Sequence, residues 1–294
     1  MKHYLIIATG GGYDILTAHM LAWKLKLKAD AKIDLVGMLN PKFKHFYFDV
    51  DSNNNVEVLK ESSIVFLSMK SAVRFKTASV YLEKYPEHTF AYCRDHFEER
   101  DFMDIRLAAN SEFRLFNFSL RYSQEEQVQF MMKYDKVFLC DVGGDILYAG
   151  RENREIKTPI VDAYALMLAR LYIERGGNCD LFIIAPGSDR ELTREHLLEN
   201  LENVDSECIE ISSYLVDKLS ALFLCVRKGN SGNTVKRILN AFGLYDNLNE
   251  QKCECLEKEM HQCNIDKAIM LNPLSRQNSA TDIVRLYNKI NSDG

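Results

Sequence analysis

The 294-residue sequence contains no apolar run that approaches the length of a bilayer, and no excess of one charge. Near its start the apolar stretch covers only residues 5–8, too short for the hydrophobic region of a secretory leader and far too short to span a membrane. With 37 Lys and Arg against 42 Asp and Glu, the formal charge is −5, which gives no general attraction to nucleic-acid phosphates or anionic lipid. Neither nucleic acid nor a membrane is therefore expected as a partner. Internal repeats and long linkers are missing as well. A composition that is 47% hydrophobic and 27% charged excludes disordered and fibrous classes, and the length suffices for a sizeable core.

Several catalytic signatures are also missing. No Gly-Lys-Ser/Thr follows a glycine turn, so there is no P-loop, and Gly-x-Ser-x-Gly is absent, so an acyl-enzyme has no support. The dinucleotide fingerprint fails because Gly10-x-Gly12 leads to Ile15 where a small residue is needed, and Asp34 sits inside its strand. Most of the eight cysteines lie in apolar segments such as VFLC and LFLC, as buried free thiols do, which predicts a reducing, cytoplasmic setting. Cys253, Cys255, His261 and Cys263 are zinc ligands by type, but the spacing fits no usual site and a helix over 249–263 would turn 253 and 255 apart. The first-helix pair His19 and Trp23 reads as core.

What is present is an alternation of strands and helices. Residues 3–9 form a strand-like run closed by Gly10-Gly11-Gly12, and apolar residues from Ile15 to Leu25 recur at helical spacing. Residues 32–37 read as a strand, and 45–60 as a hairpin around a 51–55 turn. Within 62–120 the sequence offers one apolar run (IVFLS), a helix near 77–85 and a charged loop, RDHFEERD. Ser123 and Glu126 have capping-box spacing, opening a helix to about 134; strands at 136–141 and 180–185 flank a helix that Pro159 begins. Further helices are expected at 191–201, 212–224, 231–241 and 281–290, with KAIML as a last strand. The pattern predicts an α/β fold with a mostly parallel central sheet, one domain over 1–294 in which 40–120 is a candidate insertion or cap.

In such sheets ligands bind beyond the carboxyl ends of the strands. Three strand-to-helix turns there combine glycine with acids. In the first, Gly10, Gly11 and Gly12 precede Tyr13 and Asp14; glycines taking positive φ at a helix N-terminus can hold a phosphate or carboxylate. The second places Asp141 and Asp145 around Gly143 and Gly144, a spacing that can aim two carboxylates at one Mg²⁺. Without a metal their repulsion would leave one protonated, suited to acid–base work. The third holds Gly187, Asp189, Arg190 and Glu191, with Arg190 and Arg194 as anion clamps. Asp145 and Asp189 also fit as helix caps.

These loops carry a resemblance. Gly10-Gly11-Gly12-Tyr13-Asp14, then Asp141, Gly143, Gly144, Asp145, Gly150, Glu152, Pro159, Asp162 and Ala163, then Gly187, Asp189, Glu191 and Leu192 resemble the GGGGD, DxGGD…SPLxDA and GxGxDGEL motifs of the mainly archaeal domain-of-unknown-function family 1152. Tyr13, Thr158 and Arg190 depart from those motifs. The resemblance covers about residues 1–200 and implies a Rossmann-like three-layer sandwich, with no established reaction. Two functions fit the turns: an enzyme that binds a phosphorylated metabolite or nucleotide, with Asp141 and Asp145 on Mg²⁺ and Asp189 assisting phosphoryl transfer or hydrolysis, or a sensor or scaffold that binds such a ligand without turnover. A plain interaction protein with structural loops, and a homo-oligomer, remain compatible.

Overall fold

The computed structural model describes residues 1–10, 14–38, 45–50, 56–60, 64–68, 89–93, 103–104, 111–118, 123–151, 159–226, 233–245 and 256–277. Gly11, Gly12, Tyr13, Cys253, Cys255, the RDHFEERD stretch and the helices expected at 77–85 and 281–290 lie outside the described residues.

Strand β1 (Lys2–Ala8) pairs in parallel with β2 (Ala31–Met38) on one side and β9 (Lys136–Val142) on the other; β8 (Arg114–Phe118) joins β2, and β10 (Cys179–Ile184) joins β9, again in parallel. Read across, these five run β8-β2-β1-β9-β10, the Rossmann order in which chain direction across the sheet reverses between β1 and β9. Two more strands extend the β10 edge: β12 (Glu259–Cys263) antiparallel to β10, and β11 (Glu207–Glu210) antiparallel to β12. Between β2 and β8 in sequence, a second sheet is ordered β4-β3-β5-β6-β7 (Val56–Lys60, His45–Val50, Ile64–Ser68, Thr89–Cys93, Met103–Asp104). Its β3–β4 pair is the expected hairpin and its β5 is the IVFLS run.

The central strands are apolar on both faces because both are covered. Ile6 and Ala8 of β1 and Phe138 of β9 pack with α1 (Asp14–Lys28), α5 (Ser213–Val226) and α6 (Asn233–Ala241); Leu5, Ile7 and Leu139, one residue out of phase, pack with α2 (Gln124–Met131), α3 (Pro159–Glu174), α4 (Arg194–Asn203) and α7 (Ile265–Leu271). A short α8 (Pro273–Gln277) follows α7. This is the three-layer α/β sandwich. The α2 capping box forms as its spacing predicts, with the Ser123 hydroxyl accepting from Glu126 N.

Three expectations fail, each for a local reason. The helix expected from 191 begins at Arg194, because Thr193 is its N-cap and 185–193 are spent in a turn. KAIML is helical, in α7: the Asn264 side chain caps that helix by accepting from Lys267 N, which outweighs the short apolar run. Of the helix expected over 249–263, residues 249–255 lie outside the described residues and the rest form a 3-10 turn at Leu256–Lys258 and then β12, whose two-sided pairing with β10 and β11 overrides local helix propensity. No helix among the described residues is long and apolar enough to cross a membrane.

Candidate functional site

The carboxyl ends of β1, β9 and β10 are neighbours, so the three glycine-and-acid turns emerge side by side. Backbone hydrogen bonds join them: Thr9 N donates to Cys140 O (3.0 Å), Gly143 N to Ile184 O (3.1 Å) and Gly187 N to Gly143 O (2.6 Å). The Thr9 hydroxyl approaches Asp141 Oδ1 at 3.4 Å, and Gly144 N donates to Asp141 Oδ2 at 2.9 Å.

The glycines of the second turn are required twice over. Gly143 and Gly144 have φ of +105° and +104°, which L side chains rarely adopt. A Cβ on Gly143 would also overlap the Asp189 carboxyl, and one on Gly144 would stand 2.6 Å from Leu197 Cδ1. The turn therefore lets the third loop close over it and starts a 3-10 turn, Asp145–Leu147, with Asp145 leading. Gly10 differs from expectation. Its φ is not positive; its need is room, since a Cβ there would collide with the Asp14 carboxylate at the start of α1.

Carboxyls thus gather in one place from four elements. Asp141 and Asp145 come from the second turn, Asp14 from α1, Asp189 from the third turn and Asp162 from the first turn of α3. One oxygen each of Asp141, Asp145 and Asp162 lie within 4.8 Å of one another. Asp141, Asp145 and Asp162 are buried. Among the described residues no backbone N–H, hydroxyl, amide or basic group donates to either Asp162 oxygen or to Asp189 Oδ2; both carboxyls face that of Asp145, and Asp189 Oδ1 accepts from Glu191 N at 3.1 Å. Asp189 does not cap α4; that role belongs to Thr193. The N-cap of the 3-10 turn that Asp145 opens is Gly144, which has no side chain to cap it.

Burial and mutual repulsion set the electrostatics. Desolvation, then the charges of Asp189 and Asp14, push Asp141 up to about 8; desolvation, then Asp189 and Glu191, push Asp14 up to about 8. Desolvation and acidic neighbours also hold Asp145, Asp162 and Asp189 well above the usual carboxylate range. The strongest influences on Asp14, Asp141, Asp162 and Asp189 are burial and the neighbouring acids. Such a cluster has two stable solutions, protons shared among the carboxyls or a bound cation. Oxygen-only donors of this kind suit a hard divalent ion of the Mg²⁺ class.

Of the sequence candidates, Asp14, Asp141, Asp145, Asp189 and Glu191 are brought within electrostatic reach, and Gly10, Gly143, Gly144 and Gly187 shape the turns. Arg190 is exposed, with a left-handed φ of 65°. Asp162 is the addition. Its signal was an acid interrupting the apolar stripe of a helix whose next residues, Ala163 to Ala169, are all buried. His19 is core: fully buried, its ring nitrogens meet Ile15 O and Ser111 Oγ.

No curated protein and no solved structure matches the chain. Residues 121–272, more than half of the sequence and including the second and third turns with Asp162, match the family described as protein of unknown function (DUF1152), and the chain belongs to that family.

Proposed function

We propose that the three turns bind a divalent cation of the Mg²⁺ class together with a phosphorylated small molecule, and that the protein catalyses phosphoryl transfer or phosphate-ester hydrolysis there. The observation that carries this reading is the buried Asp141–Asp145–Asp162 set, its oxygens within 4.8 Å and Asp162 facing another carboxyl with no donor group described at either of its oxygens. Charge sets the order of events. Six acids surround the site, so a phosphate would be repelled until a cation neutralised them; Asp141, Asp145 and Asp162 would hold that ion, which would supply the positive charge a phosphate needs there. Its place at the β1–β9 reversal of strand order is where open α/β sheets receive ligands. Asp189, with one oxygen unpartnered, is the general base or acid of the scheme.

The test is a melting-temperature series with Mg²⁺ alone and with inorganic phosphate, AMP, ADP or ribose 5-phosphate added, on wild type and Asp145→Asn. Mg²⁺ should raise the melting temperature of wild type, and a phosphorylated probe should raise it further only when Mg²⁺ is present; saturation at 100 times Kd adds about 2.7 kcal/mol. Asp145→Asn should lose both responses while staying folded. Phosphate release from the probe that binds then reports turnover. A wild type indifferent to Mg²⁺ overturns the proposal.

A further inference from the structure

The sheet edge opposite β8 carries a second, chemically different donor set. Glu259 and His261 are two residues apart on β12 and so project to the same face, and in the β11–β12 register Cys208 stands directly opposite His261. Cys208 Sγ, a Glu259 oxygen and a His261 ring nitrogen all lie within 4.8 Å of one another. Sequence spacing could not show this, since some fifty residues separate Cys208 from the other two.

We infer that Cys208, Glu259 and His261 form a zinc site. Thiolate, imidazole and carboxylate together are the donor mixture that favours Zn²⁺ over the hard ions of the acid cluster. His261 is held for the purpose: Nδ1 faces Ser206 Oγ at 3.2 Å, leaving Nε2 turned to the Glu259 carboxylate at 2.9 Å. Zinc bonds of about 2.0–2.2 Å place two N/O ligands of a tetrahedral ion about 3.3 Å apart, so the His261–Glu259 pair, now 2.9 Å apart, would open by only a few tenths of an ångström. Such an outer hydrogen bond to the far ring nitrogen is how metal-bound histidines are oriented. Glu210, opposite Glu259 in the register, adds negative potential.

Burial grades from a buried His261 through a half-buried Glu259 to an exposed Cys208. Three protein ligands on an open edge leave the fourth position to water, the arrangement of a zinc that polarises a bound molecule and not of a closed structural site. The site is separate from the acid cluster: His261 pairs with Ile183 and Ile183 with Asp141, two strand spacings or about 10 Å, on one face of the sheet.

Titrating the full chain with Co²⁺ tests this, in a non-coordinating reductant and excess Mg²⁺. Binding of one equivalent should produce a thiolate-to-cobalt charge-transfer band and the visible bands of a tetrahedral ion, and Zn²⁺ should abolish both. Cys208→Ser, at an exposed position, should lose the charge-transfer band, and His261→Gln should weaken Zn²⁺ binding at least 10-fold. Asp145→Asn should leave the band unchanged, which separates this site from the proposed Mg²⁺ site. Absence of the band in wild type overturns the inference, as does its persistence in Cys208→Ser or its loss in Asp145→Asn.

Discussion

Two buried acids on the same face of the central sheet live under opposite conditions. Asp34 of β2 is fully buried, yet Arg114 donates to both its oxygens (2.9 and 2.5 Å) and Tyr134 and His3 each meet Oδ2 at 2.9 Å. Burial pushes its carboxyl up, but these donors outweigh burial and hold it below the usual range. Asp141 of β9 sits four residues further along the register, at the strand ends, and burial there is reinforced by more acids. The lesson is that burial of a charge does not by itself mark function. Asp34 is complete within the fold and is structural. The Asp141–Asp145–Asp162 set is instead surrounded by further acids, and under the reading proposed above a cation from solution completes it.

Removing Asp34 should break the comparison most severely. Asp34→Ala leaves the Tyr134 hydroxyl without its buried acceptor and the half-exposed Arg114 guanidinium to water, and should cost about 3 kcal/mol in denaturant unfolding. Because its folded-state pKa is depressed, the stability that Asp34 provides is present above the unfolded value of 3.8 and is lost as pH falls through the folded one. A loss under about 1 kcal/mol for Asp34→Ala would place the cage outside the stability core.

His19 offers a third solution to burial, neutrality. Desolvation lowers its pKa from 6.5 to about 4, against a smaller opposing effect of the Ile15 carbonyl. The unfolded chain takes up a proton near pH 6.5 and the folded chain does not, so stability falls as pH drops from about 6.5 to about 4. The expected loss is about 3 kcal/mol at about 1.36 kcal/mol per unit. Unfolding free energies at pH 7 and pH 4.5 should show this for wild type, and His19→Gln should remove most of that difference. Equal acid sensitivity in the two proteins would assign the effect to other groups.

Within the acid cluster the sign reverses. Asp162→Asn takes one charge from a buried group whose strongest influences are burial and other acids, so the metal-free protein should gain stability while losing its Mg²⁺-dependent rise in melting temperature. A destabilised Asp162→Asn would mean that the carboxylate is compensated as Asp34 is.

How much of this was legible in the sequence follows from which forces are local. The strands 136–142 and 179–184 and the turns after them were readable because an apolar run ending in glycine and acid carries its own signal. So was the capping box at Ser123. The strand order was not, since it depends on which helices cover which face. β12 was hidden because pairing on both sides outweighs its charged composition, and with it went the meeting of Cys208 and His261. Asp162 was within reach of the resemblance but not of the residue pattern, because a helical stripe with one acid reads as ordinary until Asp141 is seen beneath it. Asp34 reads from the sequence as a strand residue and is one, but its partners Arg114, Tyr134 and His3 lie on three other elements or turns that sequence distance conceals.

The smallest expected effect compares one hydroxyl at each acid. Tyr134 OH donates to Asp34 at 2.9 Å inside the core, so Tyr134→Phe removes one charge-assisted hydrogen bond while leaving Arg114 and His3 in place; a loss of about 1.5 kcal/mol is expected. Thr9 Oγ1 is equally buried, but its contact with Asp141 is long at 3.4 Å and its acceptor is a carboxyl that burial pushes toward the protonated form. Thr9→Val keeps the shape and should change metal-free stability by no more than about 0.5 kcal/mol. Both variants are read by denaturant unfolding in chelator. If Mg²⁺ ionises Asp141 when it binds, the Thr9 hydroxyl gains a charged acceptor, and the Thr9→Val deficit should grow on adding Mg²⁺ while the Tyr134→Phe deficit stays constant. Equal responses of the two variants to Mg²⁺ would erase the distinction between a carboxylate completed by the fold and one completed by an ion.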